Sequence, residues 1–339
     1  MTKSIHPGQS KTRRTSETVA NGNARQHWQK CQRLLSIEPN IMKGMFDLIY
    51  HFDSATPESR KVPASAEEAR QSLVEGNHDF AQMTEAGQRG EGSRVITIDP
   101  QAFGWGVASE EAPLQAPFAA VLGCADARVP IEAVFARGYN ELFVVRVAGN
   151  VLGDECLGSM RYAMQHFPST LKLLVVLAHG KCGAVTEAVS VYLEPRRYLA
   201  LATDPAIRSI VDQILVTVRV SAIAMETLYG ASVATAPGYR SALIEAAVVL
   251  NAAWSAFCLR QEFRSAFPDV GVAFGAYDLV SRYVRLPLSK SGEPTEGEKG
   301  LFAPPSDVDG FRQLAHQICS GNLVESHLQM VEKRPNRST

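Results

Sequence analysis

The run L-K-L-L-V-V-L-A at 171–178 ends directly on His179. It is short, near-continuously apolar and rich in Leu and Val, so it reads as a strand covered on both faces rather than a half-exposed one. Two further runs share that character: F-A-A-V-L-G at 118–123, which ends on Cys124, and E-L-F-V-V-R at 141–146. Between them lie segments with helical signals, I-E-A-V-F-A and L-G-S-M-R-Y-A-M-Q-H-F. Buried strands joined by helical crossovers predict an α/β fold with a mostly parallel central sheet flanked by helices. A further strand is expected at 270–278, after a long helical stretch from about 205 to 264.

N-terminal to these strands, Ser65 and Glu68 read as a capping box that opens the helix E-E-A-R-Q-S-L-V-E-G-N-H-D-F. Residues 1–24 are polar and carry no periodicity, which predicts a disordered tail. Residues 25–63 are expected to form a helical arm, with Trp28, Cys31 and Leu35 on one stripe and Met42, Met45, Phe46 and Ile49 on another. Beyond Arg285, a Pro/Gly/Ser-rich linker at 286–309 leads to a last amphipathic helix near 310–331 and separates a tail from the body.

The 339 residues suggest roughly two domains, and 34 Lys and Arg against 35 Asp and Glu leave a net charge of -1. No global field therefore recruits nucleic acid or an anionic membrane. Six cysteines are too sparse to staple so long a chain, which points to a reducing compartment and to metal or redox work for some of them. The N-terminal residues lack the apolar run of a signal peptide, and the apolar stretch 242–259 is interrupted by Glu245, Asn251 and Ser255. The expectation is a cytoplasmic protein with a buried helix at 242–259.

Cys124 and His179 each follow a strand directly, and Cys182 comes three residues after His179. In an open parallel sheet, ligands bind beyond the carboxyl ends of the strands, so these side chains should face one crevice. Two thiolates and an imidazole suit zinc, and three protein ligands leave a tetrahedral position for water. Asp126 and Arg128 stand two and four residues beyond Cys124. Arg128 can hold the Asp126 carboxylate ionised, ready to accept a proton from water on the metal. Alternatively Asp126 takes the fourth coordination position itself. The sequence leaves both arrangements open.

Three motifs, C-A-D-A-R-V-P at 124–130, E-L-F-V-V-R-V-A-G-N at 141–150 and H-G-K-C-G-A-V at 179–185, together resemble the β-class carbonic anhydrases, a likeness that extends over about residues 64–285. The resemblance implies one Zn2+ per chain on Cys124, His179 and Cys182, with Asp126 and Arg128 as the catalytic pair. It implies reversible hydration of CO2 to bicarbonate by zinc-bound hydroxide, and a homodimer or homotetramer whose N-terminal helices embrace a neighbour. It also places Gln115 where the family's plant-like branch hydrogen-bonds bicarbonate, and Phe143, Ala148, Tyr162 and Gly183 near the substrate pocket. The chain departs from the family at Ala127, usually Ser, and at Val147, usually Asn, and is longer between Val185 and Ser241. Two rival expectations follow: hydrolysis of carbonyl sulfide or carbon disulfide by the same centre, and a catalytically weak zinc-binding scaffold.

Overall fold

The computed structural model describes residues 46–53, 62–88, 92–104, 112–290 and 295–329. The expected tail and most of the expected arm, with Trp28, Cys31, Leu35, Met42 and Met45, lie outside them. Phe46 and Ile49, expected on a helical stripe, belong instead to strand β1 (Phe46–Phe52). The run F-D-L-I-Y-H-F alternates as well as it repeats at helical spacing, and pairing decides between the two periods. β1 pairs in parallel with β2 (Gly92–Ile98), Phe46 opposite Gly92 through Phe52 opposite Ile98.

Between them runs α1 (Ala66–Gln88). Its start is the expected capping device: Ser65 Oγ accepts from the Glu68 N–H at 3.1 Å, and the Glu68 carboxylate accepts from the Ala64 N–H at 3.1 Å.

The central sheet has five strands in the order β4-β3-β5-β6-β7. These are β3 (Ala119–Cys124), β4 (Leu142–Val147), β5 (Leu173–His179), β6 (Gly271–Tyr277) and β7 (Val284–Arg285). The first four are mutually parallel and only β7 runs antiparallel, so the sheet is the mostly parallel one expected. Register sets Cys124 beside Val147 and His179 beside Tyr277, all at the carboxyl end.

β3 and β5 are dry on both faces, which is why they lack polar alternation. Ala120, Leu122, Leu174 and Val176 face one apolar layer, with α3 (Asp154–His166), α4 (Gly183–Leu193), α6 (Pro205–Tyr229) and α7 (Tyr239–Phe263). Ala119, Val121, Leu173 and Val175 face the other, with Ala69, Leu73 and Phe80 of α1 and the short α2 (Ile131–Val134). The single long helical stretch expected at 205–264 is two helices, since Gly230 (φ +80°) ends α6 and Pro237 and Gly238 precede α7. The brief α5 (Arg197–Leu201) completes the extra length between Val185 and Ser241. α7 is long and apolar enough to cross a membrane, but 78% of its apolar window is buried against the rest of the fold.

The segment after Arg285 does not hang free. Leu286 N–H donates to the Glu298 carbonyl, Phe302 bridges Phe274 of β6, and Lys299 bridges Arg285. The final helix is two, α8 (Val308–Cys319) and α9 (Asn322–Gln329), broken at Ser320–Gly321. Phe311, Leu314, Ile318 and Val324 pack into the layer with α6 and α7.

Candidate metal centre

Cys124 is the last residue of β3, His179 the last of β5, and Cys182 the residue that caps α4. Gly180 and Lys181 make the turn between the latter two, Lys181 in the left-handed region at φ +55°. Parallel pairing aligns the ends of β3 and β5, and this short turn folds Cys182 back over them. The two sulfurs and a ring nitrogen of His179 all lie within 4.8 Å of one another, and the residues are 5%, 0% and 2% exposed.

These donors fit a zinc ion. Two sulfurs each about 2.3 Å from a tetrahedral zinc stand about 3.8 Å apart; here Cys124 Sγ and Cys182 Sγ are 3.9 Å apart. His179 Nδ1 lies 2.9 Å from the Gly180 carbonyl, to which it can only donate, and this fixes the tautomer that leaves a lone pair on Nε2. Nε2 itself is buried without a hydrogen-bond partner, a position that a cation satisfies.

Backbone amides face both sulfurs. The Gly149 N–H donates to Cys124 Sγ at 3.3 Å, and Cys182 sits at the N-terminus of α4, where the Ala184 and Val185 amides point at it. The contact between the two sulfurs holds the Cys124 thiol well below the usual thiol range and, with burial, pushes Cys182 up. Burial alone would lower the His179 pKa, but the neighbouring Cys124 thiolate outweighs it and raises it.

Asp126 is held in two prongs. Arg128 donates from Nε to Oδ1 at 2.9 Å and from Nη2 to Oδ2 at 2.6 Å, and its backbone N–H reaches Oδ1 at 2.9 Å. The guanidinium holds the carboxyl far below its ordinary range. Oδ2 is also 3.7 Å from His179 Nε2, so the carboxylate borders the donor set while bound to Arg128.

Other side chains support the loops. Arg146, the one charge in β4, donates from Nε to the Cys124 carbonyl at 3.1 Å and from Nη2 to the Asp126 carbonyl at 2.6 Å. From α7, Glu245 accepts the Lys181 N–H at 3.3 Å and Asn251 donates to the Gly149 carbonyl at 2.7 Å. Sequence reasoning assigned these no role, although a signal was present: a charge or amide within an otherwise apolar run must find a partner. The three polar residues that argue against a membrane span, Glu245, Asn251 and Ser255, all bond to the loops at this centre.

The expected pocket residues divide. Ala148 and Gly183 are at the centre, in the turn after β4 and at the first position of α4. Phe143 pairs with Ala120, four residues before the Cys124 level, so it stands about 13 Å back along the strands. There it stacks with Tyr162 of α3, their ring centroids 6.4 Å apart, and Tyr162 stacks on His166 at 3.8 Å. Gln115 is exposed at the opposite end of the sheet, between Leu114 and Ala116, which both bond to the Asn140 side chain. Within one chain these three are not brought to the metal donors.

Comparison with known proteins locates the likeness. The family model described as carbonic anhydrase matches residues 119–239. Carbonic anhydrase 2 of Mycobacterium tuberculosis is 45% identical over 76 residues, 22% of this chain and 36% of that protein. The carbonic anhydrase of Mycolicibacterium smegmatis is 46% identical over 78 residues, again 22% and 36%. The chain thus spans about a third of the length of the curated relatives it matches. The β-carbonic anhydrase CafA of Aspergillus fumigatus overlays at a TM-score of 0.39, with 17% identity over 59% of this chain and 82% of that one. Residues 119–239, the segment that the carbonic anhydrase family model matches, carry Cys124, Asp126, Arg128, His179 and Cys182.

Proposed function

We propose that the chain is a zinc-dependent carbonic anhydrase, interconverting CO2 and bicarbonate with release of a proton, with residues 64–285 as its catalytic domain and the cytoplasm as its location. The observation that carries this reading is the placement of Asp126. It borders three converging soft and borderline donors, yet Arg128 holds it in two prongs.

Cys124 Sγ, His179 Nε2 and Cys182 Sγ would hold the metal. Zinc bound there supplies Lewis acidity, which makes water acidic enough to act as a nucleophile near neutral pH. Arg128 keeps Asp126 ionised, so Oδ2 would accept a hydrogen bond from the attacking water and aim its lone pair at the carbon of CO2, the released proton passing to solvent. Arg146 fixes the backbone of the Cys124–Asp126 loop, so the carboxylate and the first sulfur keep their spacing. Ala148 offers the apolar wall that a small apolar substrate needs. Gln115, Phe143 and Tyr162 are assigned to the pocket across an interface with a second copy, in a homodimer or homotetramer. β-carbonic anhydrases of Sordaria macrospora are described as tetrameric.

The test is stopped-flow CO2 hydration on metal-free chain before and after reconstitution with zinc. Hydration that appears with zinc and scales with its content supports the reading. A fully loaded chain no faster than buffer overturns it.

A further inference from the structure

The Ala148–Asn150 turn has a conformation that does not hold itself. Gly149 and the next residue, Asn150, are both left-handed, at φ +70° and +44°. Such residues persist where their surroundings fix them. A Cβ on Gly149 would lie 2.8 Å from Ile214 Cδ1 of α6 and 3.0 Å from Ala184 Cβ of α4, so the turn is wedged from one side. From the other side α7 takes its carbonyls in succession. Asn251 Nδ2 donates to Gly149 O at 2.7 Å, and Ser255 Oγ donates to Asn150 O at 3.4 Å. The Gly149 N–H, on the same residue that Asn251 grips, points at Cys124 Sγ from 3.3 Å. Asn251 is 2% exposed and lies among the alanines, valines and leucines of a buried helix.

We propose that Asn251 is a positioning residue for the metal centre, acting through this turn to aim the Gly149 N–H at the sulfur of Cys124. An N–H donated to a thiolate fixes the direction of its remaining lone pairs and draws charge from the sulfur, which sets how strongly that sulfur binds a cation. Asn251 touches none of the three donor atoms; its leverage is the Gly149 carbonyl, one Cα away from the N–H that faces the sulfur. Its role rests on reading Cys124, His179 and Cys182 as metal ligands.

The test loads the full chain with cobalt(II) and records the thiolate-to-cobalt charge-transfer band, alongside zinc affinity by chelator competition. Asn251→Leu removes the donor at similar volume, and Asn251→Ala removes it with a smaller side chain. Both variants should bind the metal with a displaced band and a zinc affinity lowered about 10- to 100-fold. Ser255→Ala, which deletes the longer bond, should move both readouts less. A folded Asn251→Leu with the wild-type band and affinity overturns the proposal. Loss of the folded state in both Asn251 variants also overturns it, because the residue then serves the core alone. A wild-type chain that takes up no cobalt overturns the metal reading instead.

Discussion

Replacing Asp126 by Asn alters proton chemistry at one side chain and little else. In the native site Oδ1 accepts from the Arg128 backbone and Nε, both at 2.9 Å, while Oδ2 accepts from Nη2 at 2.6 Å and stands 3.7 Å from His179 Nε2. An amide keeps one acceptor oxygen. Set at the Oδ1 position it preserves two of the three bonds, but its NH2 then meets Arg128 Nη2 donor against donor. With the amide turned over, its oxygen is occupied by Nη2 and two donors to the other side are lost. In neither pose does the site offer the attacking water an ionised acceptor. Losing that acceptor removes about 10²- to 10⁴-fold in rate, or about 3–5 kcal/mol of barrier lowering. Zinc should remain, because the three donors are untouched. The assay is stopped-flow CO2 hydration on samples whose zinc is quantified in parallel. The expected result is full metal content with kcat/KM down by that factor. A variant within about threefold of the wild type refutes the role given to Asp126, and a variant emptied of zinc refutes its place outside the donor set.

Cys182→Ser substitutes a neutral hydroxyl for a thiolate and should abolish both zinc binding and hydration, measured as metal content after dialysis; retained zinc with full activity contradicts the ligand assignment. Gly149→Ala forces a Cβ onto a left-handed residue against Ile214 and Ala184 and should lower the stability of the metal-free chain by about 1–3 kcal/mol, read as a lower urea midpoint at constant slope. Burial alone would raise the Glu298 pKa, but amides of Thr295, Ser289 and Leu288 outweigh it and hold the carboxyl below its ordinary value. Its stabilisation is therefore full above the unfolded carboxyl pKa of about 4.3 and fades as pH falls through the depressed folded value. Glu298→Gln should lose about 2–4 kcal/mol at neutral pH, with the gap to wild type closing in acid; a gap independent of pH contradicts the anchoring role.

The central sheet was legible because β3 and β5 are dry on both faces. Apolar runs ending on Cys124 and His179 can only be strands of an α/β core, and their ends locate the crevice. Helix breaks were less legible: Gly230 and Gly321 are the punctuation that divides α6 from α7 and α8 from α9, inside runs whose apolar pattern continues across them. β1 and β2 escaped because F-D-L-I-Y-H-F satisfies two periods and its partner lies some forty residues away, at Gly92–Ile98. The Cys124, His179 and Cys182 cluster was readable from local placement, whereas the partners of Arg146, Glu245 and Asn251 were not. A polar residue in an apolar run announces that it has a partner, but only the packed fold says which loop it crosses. For Gln115, Phe143 and Tyr162 the motif spacing pointed to a pocket that one chain does not assemble.

The most direct test is a crystal structure of the zinc-loaded chain with anomalous data at the zinc edge. The account predicts one peak per chain, about 2.3 Å from Cys124 Sγ and Cys182 Sγ and about 2.0 Å from His179 Nε2, with Asp126 still paired to Arg128 and an oxygen that is not protein at the fourth vertex. A peak elsewhere, or one capped by the Asp126 carboxylate at alkaline pH, contradicts it.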